Sequence, residues 1–296
     1  MTPNLCLGTA QFGFDYGITN KDGQVQEEEV KSLLNQAAAA GIRWIDTAYS
    51  YGCSEAVLGR TLPIGHEFSL MTKLSAWSKT SFGAQDITYL ENAFTKSCNS
   101  LGCDYLDAFL LHNPSDLAKP GAEHLLEWLL SLRERGLVSR LGVSIYAAQD
   151  LDGLPRELLD LVQLPLSLYD QRMLLNGTVS RLLAQGTAIY ARSLYLQGLL
   201  LIPATNWPRW VDPALIKHHK SLEELAIETG SSLLDLVVGF AREQSDLEGV
   251  VVGLCSCSEL QELLDSWNAI NPWRKSDWRS WHFSDSTILD PRSWPN

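Results

Sequence analysis

Positive charge is in short supply in this chain. Its 23 Lys and Arg face 35 Asp and Glu, a formal net charge of −12. That balance disfavours nucleic acid and anionic membrane as partners, though not a small anionic ligand in a locally basic cleft. No stretch approaches 18 apolar residues, so no membrane-spanning helix is expected. Met1-Thr2-Pro3-Asn4-Leu5 lacks the basic-then-apolar pattern of a signal peptide. Six cysteines are present (Cys6, Cys53, Cys98, Cys103, Cys255, Cys257), none in a C-x-x-C pair and none beside a histidine cluster. Reduced thiols, a cytoplasmic location and no metal are the expectations. Cys255-x-Cys257 would need two further ligands to complete a tetrahedral site. Also missing is a G-x-G-x-x-G turn after the first strand-like run. Gly8-Thr9-Ala10-Gln11-Phe12-Gly13-Phe14 stands there instead, against a doubly wound dinucleotide-binding sheet. No linker, repeat or low-complexity stretch divides the chain.

What is present is alternation. Short apolar runs predict strands at Leu5–Gly8, Arg43–Thr47, Phe68–Lys73, Leu106–His112, Arg140–Ser144, Leu161–Leu166, Ala188–Arg192 and Gly249–Gly253. Helical periodicity predicts helices at Glu27–Ala40, Ser54–Arg60, Ile87–Ser100, Glu123–Arg135, Val179–Gln185, Leu222–Thr229, Leu233–Gln244 and Ser258–Trp267. Strand-like runs followed by helices read as an α/β fold, a (β/α)8 TIM barrel forming a single domain over residues 1–296. Two segments are extras. Pro203–Pro213 reads as an irregular loop. The tail 268–296 carries Trp273, Trp278, Trp281 and Trp294, too much aromatic surface for a free end, so it is expected to pack across the barrel.

Four proton-handling residues sit at or just past predicted strand ends: Asp46, Tyr51, Lys73 and His112. In a parallel barrel those ends share one mouth. A phenol alone is a weak acid at neutral pH. An ammonium beside it favours the phenolate, so Lys73 is expected to lower the Tyr51 pKa, with Asp46 as its counter-ion. His112 would orient a substrate oxygen. Together they form a device that delivers a proton to a carbonyl receiving hydride. Each residue also has a plainer role: Asp46 as a cap, Tyr51 as packing, Lys73 as a solvated flank, His112 as a hydrogen-bonded core group. Convergence of all four at one mouth is what favours chemistry.

The residues carry a family resemblance. Leu7-Gly8-Thr9, Ile45-Asp46-Thr47-Ala48 with Tyr51-Gly52 and Ser54-Glu55, Thr72-Lys73, Asp107 through His112, Gly142-Val143-Ser144, Val162-Gln163 and Gly198-Leu199-Leu200 together resemble the aldo-keto reductases over nearly the whole chain. Gln11-Phe12-Gly13, Tyr16-Gly17-Ile18, Asp170-Gln171-Arg172 and Asp290-Pro291-Arg292 resemble a bacterial subset of ill-defined substrate. The resemblance implies an NAD(P)-dependent oxidoreductase that reduces an aldehyde or ketone, or oxidises the matching alcohol, by direct hydride transfer without metal. It implies Tyr51 as general acid, Lys73 and Asp46 as its tuning pair, and His112 as the orienting group.

The same resemblance implies nicotinamide amide contacts from Asn113, Ser144 and Gln163. It places Ser193 and Leu194 near the pyrophosphate, and Gly253 and Ser256 near the adenosine phosphate. Arg192 stands where many relatives have a ring-stacking tyrosine; a guanidinium can stack on a flat ring or pair with pyrophosphate. Cys255 and Glu259 stand where relatives selective for NADP carry basic residues. Glu259 suits a ribose hydroxyl better than a phosphate, which leans towards NAD against a family tendency towards NADP. Trp77 is expected to overhang the substrate, and the tail tryptophans to form another wall. Cys53, beside the Tyr51 loop, is a candidate sensitive thiol. Two other readings remain: a Schiff-base lyase with Lys73 as nucleophile, and a non-catalytic subunit that binds nicotinamide nucleotide.

Overall fold

The computed structural model describes residues 2–274 and 277–295. Eight strands, β1 Asn4–Gly8, β2 Trp44–Asp46, β3 Ser69–Leu74, β4 Leu106–Leu111, β5 Val138–Ser144, β6 Leu161–Pro165, β7 Ala188–Arg192 and β8 Gly249–Gly253, pair in sequence order. β8 returns to β1, with Gly8 opposite Gly253, and closes the barrel. Every pairing is parallel. The strands are short apolar runs because both faces are buried: one faces the barrel axis, the other the helices.

The axis is filled. Cys6, Met71, Ala108, Leu110, Leu161 and Tyr190 form a buried cluster separate from the large core under the helices. A packed interior leaves the strand C-terminal mouth as the place for chemistry. The outer helices fall near their expected positions, for instance Glu27–Ala39, Ile87–Leu101 and Ala122–Glu134. Two segments differ. After β5 the chain makes only 3-10 turns, Ala148–Leu151 and Arg156–Leu158. The helix expected to begin at Leu222 begins at Pro213, and the loop before it contains a 3-10 turn at Ala204–Asn206. The reason is a local start signal: Asp212 Oδ1 accepts the Ala214 N–H at 2.6 Å, with Pro213 in the first turn.

The tail lies on the last helices. Trp273 is buried and donates its indole N–H to Leu236 O at 2.7 Å. Trp278 meets Phe240 edge-on at 5.2 Å, and Trp281 packs on His218 at 5.2 Å. The chain then reaches the loop after β6, where the Phe283 N–H donates to Tyr169 O at 2.9 Å. Arg292 places its guanidinium 3.5 Å from the centre of the Tyr146 ring, in the loop after β5.

Candidate active site

The loop that carries Tyr51 is fixed by contact between backbones. Gly52 has φ +55, a left-handed conformation that favours glycine. A Cβ on Gly52 would overlap Gly13 O, and a Cβ on Gly13 would overlap Tyr51 O. Beneath this contact lies a buried hydroxyl network. Thr9 Oγ1 donates to Asp46 O (3.0 Å), Ser54 Oγ donates to Thr9 O (2.9 Å), and Thr47 Oγ1 lies 3.1 Å from Ser54 Oγ. Glu55 accepts from Thr72 Oγ1 (2.7 Å) and Ser97 Oγ (3.1 Å), tying the residue before Lys73 to the neighbouring helices. These small polar residues hold β1, β2 and β3 in relative position.

Lys73 and Asp46 form a buried ion pair, 1% and 3% exposed. Lys73 Nζ donates to Asp46 Oδ1 (2.7 Å), Asp46 Oδ2 (2.8 Å), Thr47 O (3.0 Å) and Tyr51 OH (3.4 Å). Burial alone would lower the Lys73 pKa, but Asp46 and the phenol outweigh it and the net shift is upward. Lys73 is therefore an ammonium at neutral pH, which argues against its use as an amine nucleophile.

For Tyr51 the balance runs the other way. Burial raises its pKa, Lys73 lowers it, Asp46 raises it again, and the result lies above the ordinary phenol value. This corrects the expectation of a net lowering: the half-buried phenol loses more by desolvation than one ammonium, already paired with a carboxylate, returns. His112 closes the set. Its ring meets Tyr51 edge-on at 5.9 Å, and its Nδ1 lies 3.1 Å from Ser50 Oγ. Burial, with the charges of Lys73 and Arg192, presses its pKa down to about 3. The imidazole is neutral at working pH. If Ser50 donates to Nδ1, Nε2 carries the proton and can donate it to a substrate oxygen.

A cleft of about 1180 Å³ opens above these groups. Asp46, Tyr51, His112, Arg192, Ser193, Leu194, Gly253 and Glu259 are among the residues that line it. Lys73, Gln163, Ser144, Asn113, Ser256 and Trp77 are not among its lining residues. Gln163 lies below the floor, donating its amide to Asp46 Oδ1 at 2.7 Å. Ser144 is buried at the β5 end. Asn113 closes its own turn, donating to Asp116 Oδ1 (3.3 Å) and accepting from Ser115 Oγ (2.9 Å). Trp77 stacks on Phe82 at 4.7 Å, and its indole N–H donates to Ser81 O. The tail tryptophans likewise lie away from the cleft lining.

Residues that sequence reasoning did not assign also face the cleft: Gln11, Phe14, Tyr16, Ser50, Tyr146 and Tyr195. Their common signal is position in the loops after β1, β2, β5 and β7. Ser193, Leu196 and Gln197 adopt positive φ (64°, 47° and 55°), so the loop after β7 holds strained backbone beside the cleft.

The residues fit a nucleotide. Gln11 Oε1, Gln163 Oε1 and Tyr195 OH are buried without a hydrogen-bond partner among the described residues, and such groups call for donors or acceptors from a ligand. A Cβ on Gly253 would crowd the Gln11 amide at 2.5 Å. After β8, Ser256 caps the helix Cys257–Asn268 by accepting the Glu259 N–H (3.2 Å). Glu259 Oε2 accepts the Cys255 N–H and Glu29 Oε1 the Cys257 N–H, both at 2.6 Å. Two carboxylates thus already occupy amides at this helix start. Among the described residues no group of three or more His, Cys, Asp or Glu could hold a metal ion, and no helix is long and apolar enough to cross a membrane.

A closed parallel barrel with an aspartate, lysine, tyrosine and histidine at its mouth defines a class. The sequence profile of the aldo/keto reductase family matches residues 4–282, and the chain belongs to that family. An aldo-keto reductase of Mycolicibacterium paratuberculosis is 35% identical over 125 residues, 41% of each chain. D-arabinose 1-dehydrogenase of Saccharomyces cerevisiae is 29% identical over 122 residues, 40% of this chain and 36% of that protein. The matched part thus spans less than half the length of these relatives. The solved holo form of an aldo-keto reductase from Bacillus halodurans superposes with a TM-score of 0.70 at 20% identity, covering 91% of this chain and 88% of that one. The likeness to that structure is one of fold.

Proposed function

We propose that this protein is an NAD(P)-dependent oxidoreductase that interconverts an aldehyde or ketone with its alcohol, with Tyr51 as general acid and base. The supporting observation is the continuous chain from Asp46 through Lys73 to the Tyr51 hydroxyl, with neutral His112 against the same phenol. The nicotinamide nucleotide supplies or accepts the hydride. Tyr51 gives its proton to the carbonyl oxygen as negative charge develops there. Lys73 then stabilises the phenolate that remains, and Asp46 keeps Lys73 charged. His112 donates to the same oxygen and orients it. Gln163, Gln11 and Tyr195 would hold the nucleotide through their unpartnered atoms, with Ser193, Leu194, Gly253 and Ser256 near its phosphates. Ser144 and Asn113 are weaker candidates, since neither is among the buried groups left without a hydrogen-bond partner. Glu259 and Glu29 at the helix start make a 2′-phosphate unwelcome there, which supports NAD over NADP.

The test is Tyr51→Phe, with NADH and NADPH each titrated by fluorescence and turnover followed on an aldehyde and ketone panel. The expected result is turnover reduced by about 10²-fold or more, nucleotide binding within about twofold, and NADH bound more tightly than NADPH. Unchanged turnover would remove Tyr51 from the reaction.

A further inference from the structure

Charges around Tyr51 and His112 do not cancel. Lys73 is neutralised by Asp46. His112 is held neutral, and burial pushes the neighbouring Tyr16 phenol up to about 12, so it too is uncharged. Arg192, at the C-terminal end of β7, is the exception. Its Nη2 donates to Ile145 O at 2.8 Å and its Nη1 to Ser193 Oγ at 3.3 Å. The guanidinium lies 4.0 Å from the centre of the Tyr146 ring. Among the described residues no carboxylate pairs with it within ion-pair distance. Asp150, nearby in sequence to Tyr146, accepts the Tyr146 and Ala147 N–H groups, and Asp290 pairs with Arg292. Arg192 is thus a half-buried cation with no carboxylate partner among the described residues. It lines the same cleft as Tyr51 and His112, and its field lowers the pKa of both.

We propose that Arg192 makes the site discriminate between the two redox states of its nucleotide, favouring the reduced form. This rests on the oxidoreductase reading above and extends it. A nicotinamide that exchanges hydride with a carbon whose oxygen sits on Tyr51 and His112 must lie in the same mouth as Arg192, since reacting atoms approach to about 3–3.5 Å. The reduced ring is neutral and the oxidised ring carries a positive charge. A fixed cation several ångströms away in a partly desolvated site repels only the oxidised ring, by an amount that corresponds to about tenfold or more in affinity. The same charge attracts negative charge developing on the substrate oxygen. Arg192 therefore favours binding of the reduced nucleotide and stabilises the alkoxide, while holding back the oxidised product ring less tightly. The Lys73–Asp46 pair has no such net effect.

The test is the ratio of dissociation constants for oxidised and reduced nucleotide, measured by calorimetry within the NAD pair and within the NADP pair, so that the 2′-phosphate cancels. Wild-type protein, Arg192→Gln and Arg192→Lys are compared, with thermal melts to confirm that each is folded. The expected ratio is at least about tenfold in favour of the reduced form in wild type, mostly retained in Arg192→Lys and reduced by about tenfold in Arg192→Gln. A ratio unaltered in Arg192→Gln overturns the proposal. So does an equal loss of affinity for both forms, which would mark Arg192 as a phosphate contact. Absence of binding by any nicotinamide nucleotide would instead overturn the oxidoreductase reading, and this inference with it.

Discussion

Asp46→Asn isolates the ion pair on which the site is built. The substitution keeps shape and one acceptor but leaves the Lys73 ammonium, 1% exposed, with Thr47 O at 3.0 Å and Tyr51 OH at 3.4 Å as its remaining contacts besides the new amide. Removing one partner of a buried pair costs about 3–5 kcal/mol. The residual acceptors place the expected loss near the low end, about 3 kcal/mol, or roughly 6 °C in Tm for a chain of this size. The pH dependence is more telling than the magnitude. In wild type the folded Lys73 pKa lies above its unfolded value, with burial opposed and outweighed by Asp46. The stability it contributes is fully present below about pH 10.4 and is lost as pH rises through the folded value. In Asp46→Asn, burial acts without its main opponent and the folded pKa falls below the unfolded one. The unfolded chain then binds the extra proton, so stability rises with pH across that window. Urea unfolding from pH 6 to 10 should show the variant's penalty shrinking towards high pH. A penalty under about 1 kcal/mol that is the same at every pH would refute the buried-pair reasoning.

Two further outcomes follow from the same site. His112 is held down to about 3, so the pH profile of kcat/KM should show no limb near 6.5. The stability owed to its neutral form should be complete above about pH 6.5 and decline as pH falls towards 3, as read by thermal melts; a kinetic limb at 6–7 that disappears in His112→Gln would contradict a neutral imidazole. Gly13→Ala should lower turnover by about tenfold or more, because the added Cβ overlaps Tyr51 O and displaces the catalytic loop. Gly41→Ala is the control: it has φ +81 with open space around it, so steady-state kinetics should stay near wild type while stability falls by about 1 kcal/mol.

Much of this architecture is legible in the sequence because parallel barrel strands are buried on both faces and so read as bare apolar runs. Asp46, Tyr51, Lys73 and His112 stand out because a titratable group at the end of such a run is costly unless paired. Loops resist reading for the opposite reason. Asn113 has a polar side chain whose partner is chosen by its own turn, where Asp116 and Ser115 lie within reach. Trp77 follows Lys73 closely, but its ring packs on Phe82 of its own loop and on Tyr89 of the helix that follows. Gln11 and Tyr16 belong to short motifs that carry the resemblance but no stated role, and Ser50 and Tyr146 follow no pattern that marks a site. Only closure of the barrel brings the loops after β1, β2 and β5 to one cleft. The start of the helix at Pro213 was readable in Asp212-Pro213, a cap followed by a first-turn proline.

The raised pKa of Tyr51 bears on the proton transfer proposed for it. A phenol lowered towards neutrality would stand partly ionised, and that fraction would hold no proton to deliver. In the proposed reaction, burial would keep the proton on Tyr51 until a substrate oxygen gains charge, with Lys73 at 3.4 Å already in place for the phenolate that would follow. The ammonium would then act mainly on the state after transfer, where a full anion would face it, and less on the resting state, where a neutral hydroxyl does. An interaction stronger in the charged state than in the resting one lowers the barrier without tightening substrate binding. Asp46 serves this difference by keeping Lys73 charged at no net cost in charge to the site. His112, in contact with Ser50 and pressed far below its ordinary pKa, offers a donor beside the phenol without adding a positive charge of its own.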